Sequence, residues 1–277
     1  MKTVRLPSGE TVPALGQGTW KMGDNRALRA EEIATLRLGI DLGLTLIDTA
    51  EMYGEGRAES LIGEAIAGRR DEVFLVSKVY PHNASRKAMR KSCEASLRRL
   101  DTDHLDLYLL HWPGSVPMEE TLEAFASLQR DGLILHFGVS NLGAAEMGHL
   151  WSLPGGQGVQ TNQVLYNLTR RGPEADLLPW QRAHGIPLMA YSPIEEGRLL
   201  SDSRLADFAE RRGMTAAQAA LAWLLTQEDV IAIPKTGSRV RLKENVAALD
   251  RPLDAAALAE LGRLFPPPKG PVPLEMI

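Results

Sequence analysis

The chain has 277 residues, 44% of them hydrophobic and 24% charged, with a net charge of −4. This is the balance of an ordinary globular chain, with no field to draw nucleic acid or acidic lipid. A single cysteine excludes an internal disulfide. The opening MKTVRLPSGE is no signal peptide, and no apolar run reaches the roughly 18 residues of a membrane span, so a cytoplasmic location is expected.

In chain order, Val4-Arg5-Leu6, the turn Pro7-Ser8-Gly9-Glu10 and Thr11-Val12 predict a β-hairpin. A short strand over Ala14–Gly18 follows, then a helix with Ile33, Leu36 and Ile40 on one face. From there strands are predicted over Thr45–Ile47, Val73–Ser77, Leu105–Leu110, Ile134–Val139, Val159–Thr161, Pro187–Ala190 and Val230–Ile233. Helices fall between and after them, over Ala58–Ala67, Arg86–Leu100, Glu119–Arg130, Ala144–Leu150, Glu174–Ala183, Arg239–Ala248 and Ala255–Arg263. The longest gap holds two helical patterns, one over Arg204–Arg212 and one opened by a Thr215/Gln218 capping box and running through Trp223. Cys93 shares a face with Met89, Leu97 and Leu100 and reads as buried packing. The tail from Pro266 to Pro271 ends regular structure.

Near-continuous apolar strands alternating with helices describe a (β/α)₈ barrel, here with an N-terminal hairpin that can plug its floor and extra helices. No linker divides the chain, so residues 1–277 are expected to form a single domain. Each apolar run stops at a polar or aromatic residue: Thr19-Trp20, Asp48, Lys78, His111, Ser140-Asn141, Gln163, Tyr191 and Lys235. Those stops are the C-terminal strand ends, where barrels of this kind carry their chemistry.

Asp48, Tyr53, Lys78 and His111 then fall around one rim. A phenol has a reference pKa near about 10, and a neighbouring ammonium lowers it. A carboxylate beside the lysine holds that ammonium, and a histidine can orient a carbonyl oxygen. Such a site protonates an alkoxide, and an alkoxide forms when a cofactor delivers hydride to a carbonyl. Two other readings stay open: a barrel aldolase or isomerase with Lys78 as a Schiff-base lysine, and a non-catalytic barrel that senses a nucleotide. Gly16-Gln17-Gly18 opens like GxGxxG, but Lys21 stands where the third glycine belongs and no Walker A pattern occurs, so a nucleotide must be held by the barrel rim. Lys235, Thr236, Ser238 and Arg241 cluster at a helix start, a ready phosphate site. No metal is expected.

Leu46-Ile47-Asp48-Thr49-Ala50 with Tyr53-Gly54, Ser77-Lys78, His111-Trp112-Pro113, Gly138-Val139-Ser140-Asn141, and Ile233-Pro234-Lys235 with Glu244-Asn245 together resemble the aldo/keto reductase family, in order and over nearly the whole chain. The resemblance is strongest to small bacterial members that reduce methylglyoxal and similar aldehydes. It implies a tetrad in which Tyr53 gives the proton, Lys78 paired with Asp48 tunes it, and His111 positions the carbonyl. It implies NADPH as cofactor, with Ser140, Asn141 and Gln163 on the nicotinamide carboxamide and Tyr191 beneath the ring, followed along the rim by Ser192. Lys235, Thr236, Ser238 and Arg241 fall on the 2′-phosphate, and Glu244 and Asn245 on the adenine. Trp20, Tyr53, His111 and Trp112 are expected to wall the substrate pocket. The short loop Pro113–Met118 and brief tail point to an open pocket with few specificity contacts, suited to small aldehydes, dicarbonyls and some ketones. A monomer acting on a small carbonyl compound is expected. Glu195-Glu196-Gly197-Arg198 departs from the family pattern: two carboxylates near a pyrophosphate path repel it unless they turn to solvent or pair with Arg198.

Overall fold

The structure, a computed structural model, describes residues 1–277. Apolar runs covered by helices on one side and by each other on the other form parallel strands, and eight do so here. They are β3 (Gln17–Gly18), β4 (Leu46–Asp48), β5 (Phe74–Val79), β6 (Leu105–Leu110), β7 (Ile134–Ser140), β8 (Asn162–Leu165), β9 (Leu188–Tyr191) and β10 (Val230–Ala232), paired in sequence order. The sheet closes on itself. The Gly16 amide donates to the Ala232 carbonyl at 2.8 Å and the Gly18 amide to the Pro234 carbonyl at 3.0 Å, with parallel bridges at Leu15/Ala232 and Gly18/Lys235. This seam explains Gly18: a Cβ there would lie 2.7 Å from the Ile233 carbonyl oxygen, so only glycine lets the first and last strands meet.

Two further strands, β1 (Thr3–Arg5) and β2 (Thr11–Pro13), form the antiparallel N-terminal hairpin. It crosses the barrel floor: Lys2 Nζ donates to the carbonyls of Leu225 and Gln227 ahead of β10, the Ser8 amide to Gln160 Oε1 ahead of β8, and Glu10 pairs with His136 at the start of β7. Val4, Leu6 and Val12 are buried beneath it.

The helices are α1 (Arg29–Asp41), α2 (Arg57–Ile66), α3 (Arg86–Leu100), α4 (Met118–Arg130), α5 (Ala144–Ser152), α6 (Leu177–Ala183), α7 (Ser203–Glu210), α8 (Ala216–Thr226), α9 (Arg239–Ala247) and α10 (Ala255–Leu264). Both patterns in the long gap are helices, and the capping box forms as read: Thr215 Oγ1 accepts from the Gln218 amide while Gln218 Oε1 accepts from that of Thr215. Cys93 is fully buried on α3, and burial pushes its thiol up to about 12. No helix is long and apolar enough to cross a membrane.

Three elements differ from expectation, and the first is β3, which is confined to Gln17–Gly18 rather than Ala14–Gly18, with Leu15 in an isolated bridge. The strand predicted over Val159–Thr161 lies three residues later, at Asn162–Leu165. An apolar-run criterion stops at Asn162, but this amide is satisfied inside the barrel wall: its Nδ2 donates to the Leu142 carbonyl at 2.7 Å and its Oδ1 accepts from the Leu142 amide at 3.4 Å. Polar residues with partners are tolerated in a buried strand. The helix predicted from Glu174 begins instead at Leu177, because Gly172–Glu174 takes a 3₁₀ turn around Pro173 and Asp176 caps the Leu177 amide.

Candidate active site

The C-terminal strand ends open into one cleft of about 690 Å³, within the roughly 300–1,000 Å³ range of small-molecule sites. Asp48 closes β4, Lys78 lies near the end of β5, and His111 directly follows β6. Tyr53 comes from the loop after β4. That loop turns sharply through Gly54 (φ 58°), Glu55 (φ 55°) and Gly56 (φ 87°). Gly54 adopts this left-handed conformation without the steric cost that a side chain carries, and the turn aims the phenol inward.

At the bottom, fully buried Lys78 Nζ touches Asp48 Oδ2 at 2.8 Å, the Thr49 carbonyl at 2.7 Å and Tyr53 Oη at 3.0 Å. Three oxygens thus satisfy all three ammonium hydrogens. Burial works against this charge, but Asp48 and Tyr53 more than offset it, and Lys78 is held above the ordinary lysine value. Burial pushes the Asp48 carboxyl up, opposed by Lys78 and by Gln163, whose Nε2 donates to Asp48 Oδ1 at 2.7 Å. Tyr53 does not follow the expectation of a lowered phenol. Burial raises it, Lys78 pulls it down, Asp48 raises it again, and the net direction is upward. Desolvation of a phenolate here exceeds the stabilisation that one already paired ammonium offers.

His111 is buried, and burial with the Lys78 charge drives it down to about 2, so its ring is neutral. Its Nδ1 has no partner. A proton there would have nothing to donate to, which favours the tautomer with the proton on Nε2. Trp20 stands edge-on to Tyr53 at 4.9 Å between centroids, and Trp112 lies 4.7 Å from His111, so the four rings form one wall.

Next to this wall, Ser140 Oγ donates to the Gln163 carbonyl at 2.7 Å, and Asn141 Nδ2 donates to the His111 carbonyl and to Ser140 Oγ, each at 3.1 Å. Tyr191 Oη donates to Asn141 Oδ1 at 3.1 Å. Much of the polar capacity of Ser140 and Asn141 is therefore used in holding one another, and Gln163 Oε1 is the acceptor that receives no protein donor. Ser192 (φ 47°) continues the rim.

The far end is lined by Lys235, Thr236 and Gly237 in the loop before α9 and by Arg241, Glu244 and Asn245 along that helix. Lys235 is exposed, yet partial desolvation at the lip, with Lys21 and Arg241 adding to it against Glu32 and Asp24, pulls its ammonium below the usual value. Ser238 does not line the cleft; it is the N-cap of α9, and its amide donates to Thr236 Oγ1 at 3.2 Å. Lys78 also lies outside the lining, behind Asp48 and Tyr53.

The two adjacent carboxylates are both neutralised. Glu195 turns inward, buried, and binds Asn167 Nδ2 at 2.9 Å, Arg170 Nε at 3.0 Å and Arg198 at 3.2 Å. Glu196 reaches across the mouth to Lys21 Nζ at 3.7 Å. Both take positive φ (54° and 53°), a conformation that costs of order 1–3 kcal/mol for such residues and persists only where the surroundings hold it.

The expected open pocket is narrower than read. The tail turns back so that Met276 and Ile277 line the cleft. Leu274 packs on the core, Val272 lies against Gly172, and Glu275 pairs with Arg170 at 2.5 Å. The Pro-rich composition signalled only a stop; the apolar Val272, Leu274, Met276 and Ile277 were the signal for a return. Met52, Ile194 and Leu200 line the cleft as well, without any motif to single them out.

The model of the aldo/keto reductase family matches residues 14–264. Methylglyoxal reductase YeaE of Escherichia coli is 50% identical over 100% of this chain and 99% of its own. Glyoxal reductase of Bacillus subtilis is 31% identical over 99% and 97%. Among solved structures, an aldo/keto reductase from Klebsiella pneumoniae in complex with NADP and acetate superposes with a TM-score of 0.97 at 50% identity, covering 100% of this chain and 99% of that one.

Proposed function

The chain belongs to the aldo/keto reductase family, and from that premise we propose that it is an NADPH-dependent reductase of small aldehydes, dicarbonyls and ketones, methylglyoxal and glyoxal among them, with Tyr53 as the proton donor. The observation that carries this reading is the placement of Lys78 Nζ between Asp48 and Tyr53, at the base of a cleft whose other end carries Lys235 and Arg241.

The cleft fits the cofactor on the chemistry of its donors. A lysine, a threonine hydroxyl and an arginine converge at the start of a nine-residue helix, the arrangement that suits a phosphate monoester. Glu244 and Asn245 would take the adenine, Tyr191 the face of the nicotinamide, and Gln163 Oε1 the carboxamide nitrogen beside Ser140 and Asn141. When bound, NADPH supplies the hydride. The residues of the chain do the rest. Neutral His111 offers Nε2–H to the carbonyl oxygen and so orients it. Tyr53 is protonated throughout the neutral range and gives its proton to that oxygen as charge builds there. Lys78 stabilises the phenolate left behind, and Asp48 keeps Lys78 charged and in place. Trp20 and Trp112 wall the pocket beside Tyr53 and His111, and Met276 and Ile277 line the cleft with them.

The Schiff-base alternative is disfavoured by the same geometry. That chemistry needs a neutral amine open to substrate, whereas Lys78 is held charged, has three oxygen partners and does not line the cleft. The reading is tested by following NADPH consumption with methylglyoxal, glyoxal and a panel of small aldehydes and ketones, repeated with NADH. Turnover with NADPH is expected; tight NADPH binding with no turnover on any of them contradicts it.

A further inference from the structure

We propose that Gln163 is a positioning residue for proton transfer: its side-chain amide holds the second carboxylate oxygen of Asp48, so one residue links the cofactor cleft to the charges behind Tyr53. This rests on the reading of Tyr53 as the acid.

Asp48 has two oxygens and two partners. Oδ2 accepts from Lys78 at 2.8 Å, and Oδ1 accepts from Gln163 Nε2 at 2.7 Å. The two residues are 115 positions apart in sequence. They meet because β4 and β8 stand four strands apart in a ring of eight, on opposite walls of the barrel. The amide orientation follows from chemistry, since only the NH₂ end can face a carboxylate. Nε2 also lies 2.9 Å from Met189 Sδ. The carbonyl end, Oε1, is then turned to the cleft without a protein donor.

The consequence is electrostatic. Asp48 is 2% exposed, and desolvation already favours its neutral form. Lys78 and Gln163 are the groups that oppose this. Without the amide, Oδ1 is a buried acceptor with no donor, and the carboxyl takes up a proton more readily. A protonated Asp48 no longer holds Lys78 charged and in place, so both charges that act on Tyr53, in opposite directions, are disturbed at once. The titratable groups facing this cluster are Lys78 on β5, Tyr53 in the loop after β4, neutral His111 after β6 and Tyr191 at the end of β9, so no other charge takes over from Asp48.

The test separates this role from a contact to the carboxamide. Gln163→Met keeps the length and removes the donor. In the cofactor-free protein, the phenolate titration of Tyr53, isolated by ultraviolet difference against Tyr53→Phe, should shift from its native position, because Asp48 and Lys78 both act on this phenol. At saturating NADPH, kcat should fall roughly tenfold to a hundredfold, the loss of one hydrogen bond to a charged group. Gln163→Glu gives a second, pH-dependent readout that also serves if Gln163→Met does not fold. Its protonated carboxyl donates an O–H to Asp48 and its ionised form cannot, so turnover should recover as pH falls, over a range where the native enzyme is flat. The proposal is overturned if Gln163→Met only weakens NADP⁺ binding, with the Tyr53 titration and saturated kcat unmoved, or if Gln163→Glu shows no acid recovery. Retained turnover in Tyr53→Phe would instead sink the reading of Tyr53, and the cofactor-free titration would still decide the role of Gln163.

Discussion

Lys78 Nζ lies 3.0 Å from Tyr53 Oη and 4.7 Å from the centre of its ring, yet the phenol is raised rather than lowered. The ammonium therefore does not make an acidic tyrosine at rest. It limits how far burial weakens the acid, and its effect grows as phenolate character develops in the transition state, where stabilisation counts.

Tyr53→Phe keeps the ring and its edge contact with Trp20 but removes the proton. Turnover should fall by roughly 10²–10⁴-fold, the worth of a general acid, with NADPH affinity near normal. Lys78→Met should also depress kcat, and it should move the Tyr53 titration further up, since burial then acts unopposed. Because the native phenol already lies above the ordinary tyrosine value, the kcat profile should show no Tyr53 limb through the neutral range. Stopped-flow and steady-state profiles of the three proteins check this. A Tyr53 limb near neutrality in the native enzyme contradicts it.

His111 makes the fold sensitive to acid. Its pKa falls from 6.5 to about 2 on folding. A depressed folded value means that the unfolded chain binds the proton first. The stability this neutral ring contributes is therefore complete above pH 6.5 and is lost as pH falls toward about 2. Below 6.5 the unfolding free energy should drop by about 1.4 kcal/mol per pH unit from this group alone. Urea unfolding of the native protein and of His111→Gln, compared above the range where carboxylates titrate, isolates that slope. Equal slopes in the two proteins would show that the imidazole is not held neutral.

Much of this site was legible in the chain because strand ends are local features. Apolar runs that stop at Asp48, Lys78, His111, Gln163 and Tyr191 place those side chains at one rim once the βα alternation is recognised. Contacts across the barrel were not legible. The Gln163–Asp48 bond spans 115 residues and depends on ring closure, which local periodicity does not encode. The partners of Glu195 and Glu196 were half legible: Arg198 is three residues on, whereas Arg170 and Lys21 come from distant loops. The shift of β8 has a similar cause, since Asn162 reads as a strand end until its bonds to Leu142 are known.

At the far end of the cleft, Lys235 and Arg241 should set the choice between NADPH and NADH. Each charge-assisted bond to a phosphate is worth roughly 1.5–3 kcal/mol, so removing either should cut the preference for NADPH by about tenfold to a hundredfold. Affinity for NADH should change little in Lys235→Ala or Arg241→Ala. Both side chains are exposed, so the preference of the native enzyme should also decline with salt. Fluorescence titration with both cofactors at low and high ionic strength measures this. A parallel loss of NADH affinity would place these residues elsewhere on the cofactor.

Arg170 joins two segments that border the cleft from different sides. Its Nε binds Glu195 at the base of the Glu195–Arg198 turn at 3.0 Å, and its Nη1 binds Glu275 in the tail that carries Met276 and Ile277 to the pocket. The two bonds differ in strength for a physical reason. Glu195 is buried, so losing Arg170 leaves a desolvated carboxylate with only Arg198 and Asn167, and the turn that presents Glu196 to Lys21 loosens. Glu275 is half exposed, and an ion pair of that kind contributes about 0.2–1 kcal/mol. Glu275→Gln should therefore raise KM for a small aldehyde by no more than about fivefold, with NADPH affinity unchanged. Arg170→Ala should raise both KM and the NADPH dissociation constant, because both segments lose their anchor. Steady-state kinetics with separate NADPH titrations distinguishes the two, and a Glu275→Gln protein weakened toward NADPH to the same degree as Arg170→Ala would contradict this division.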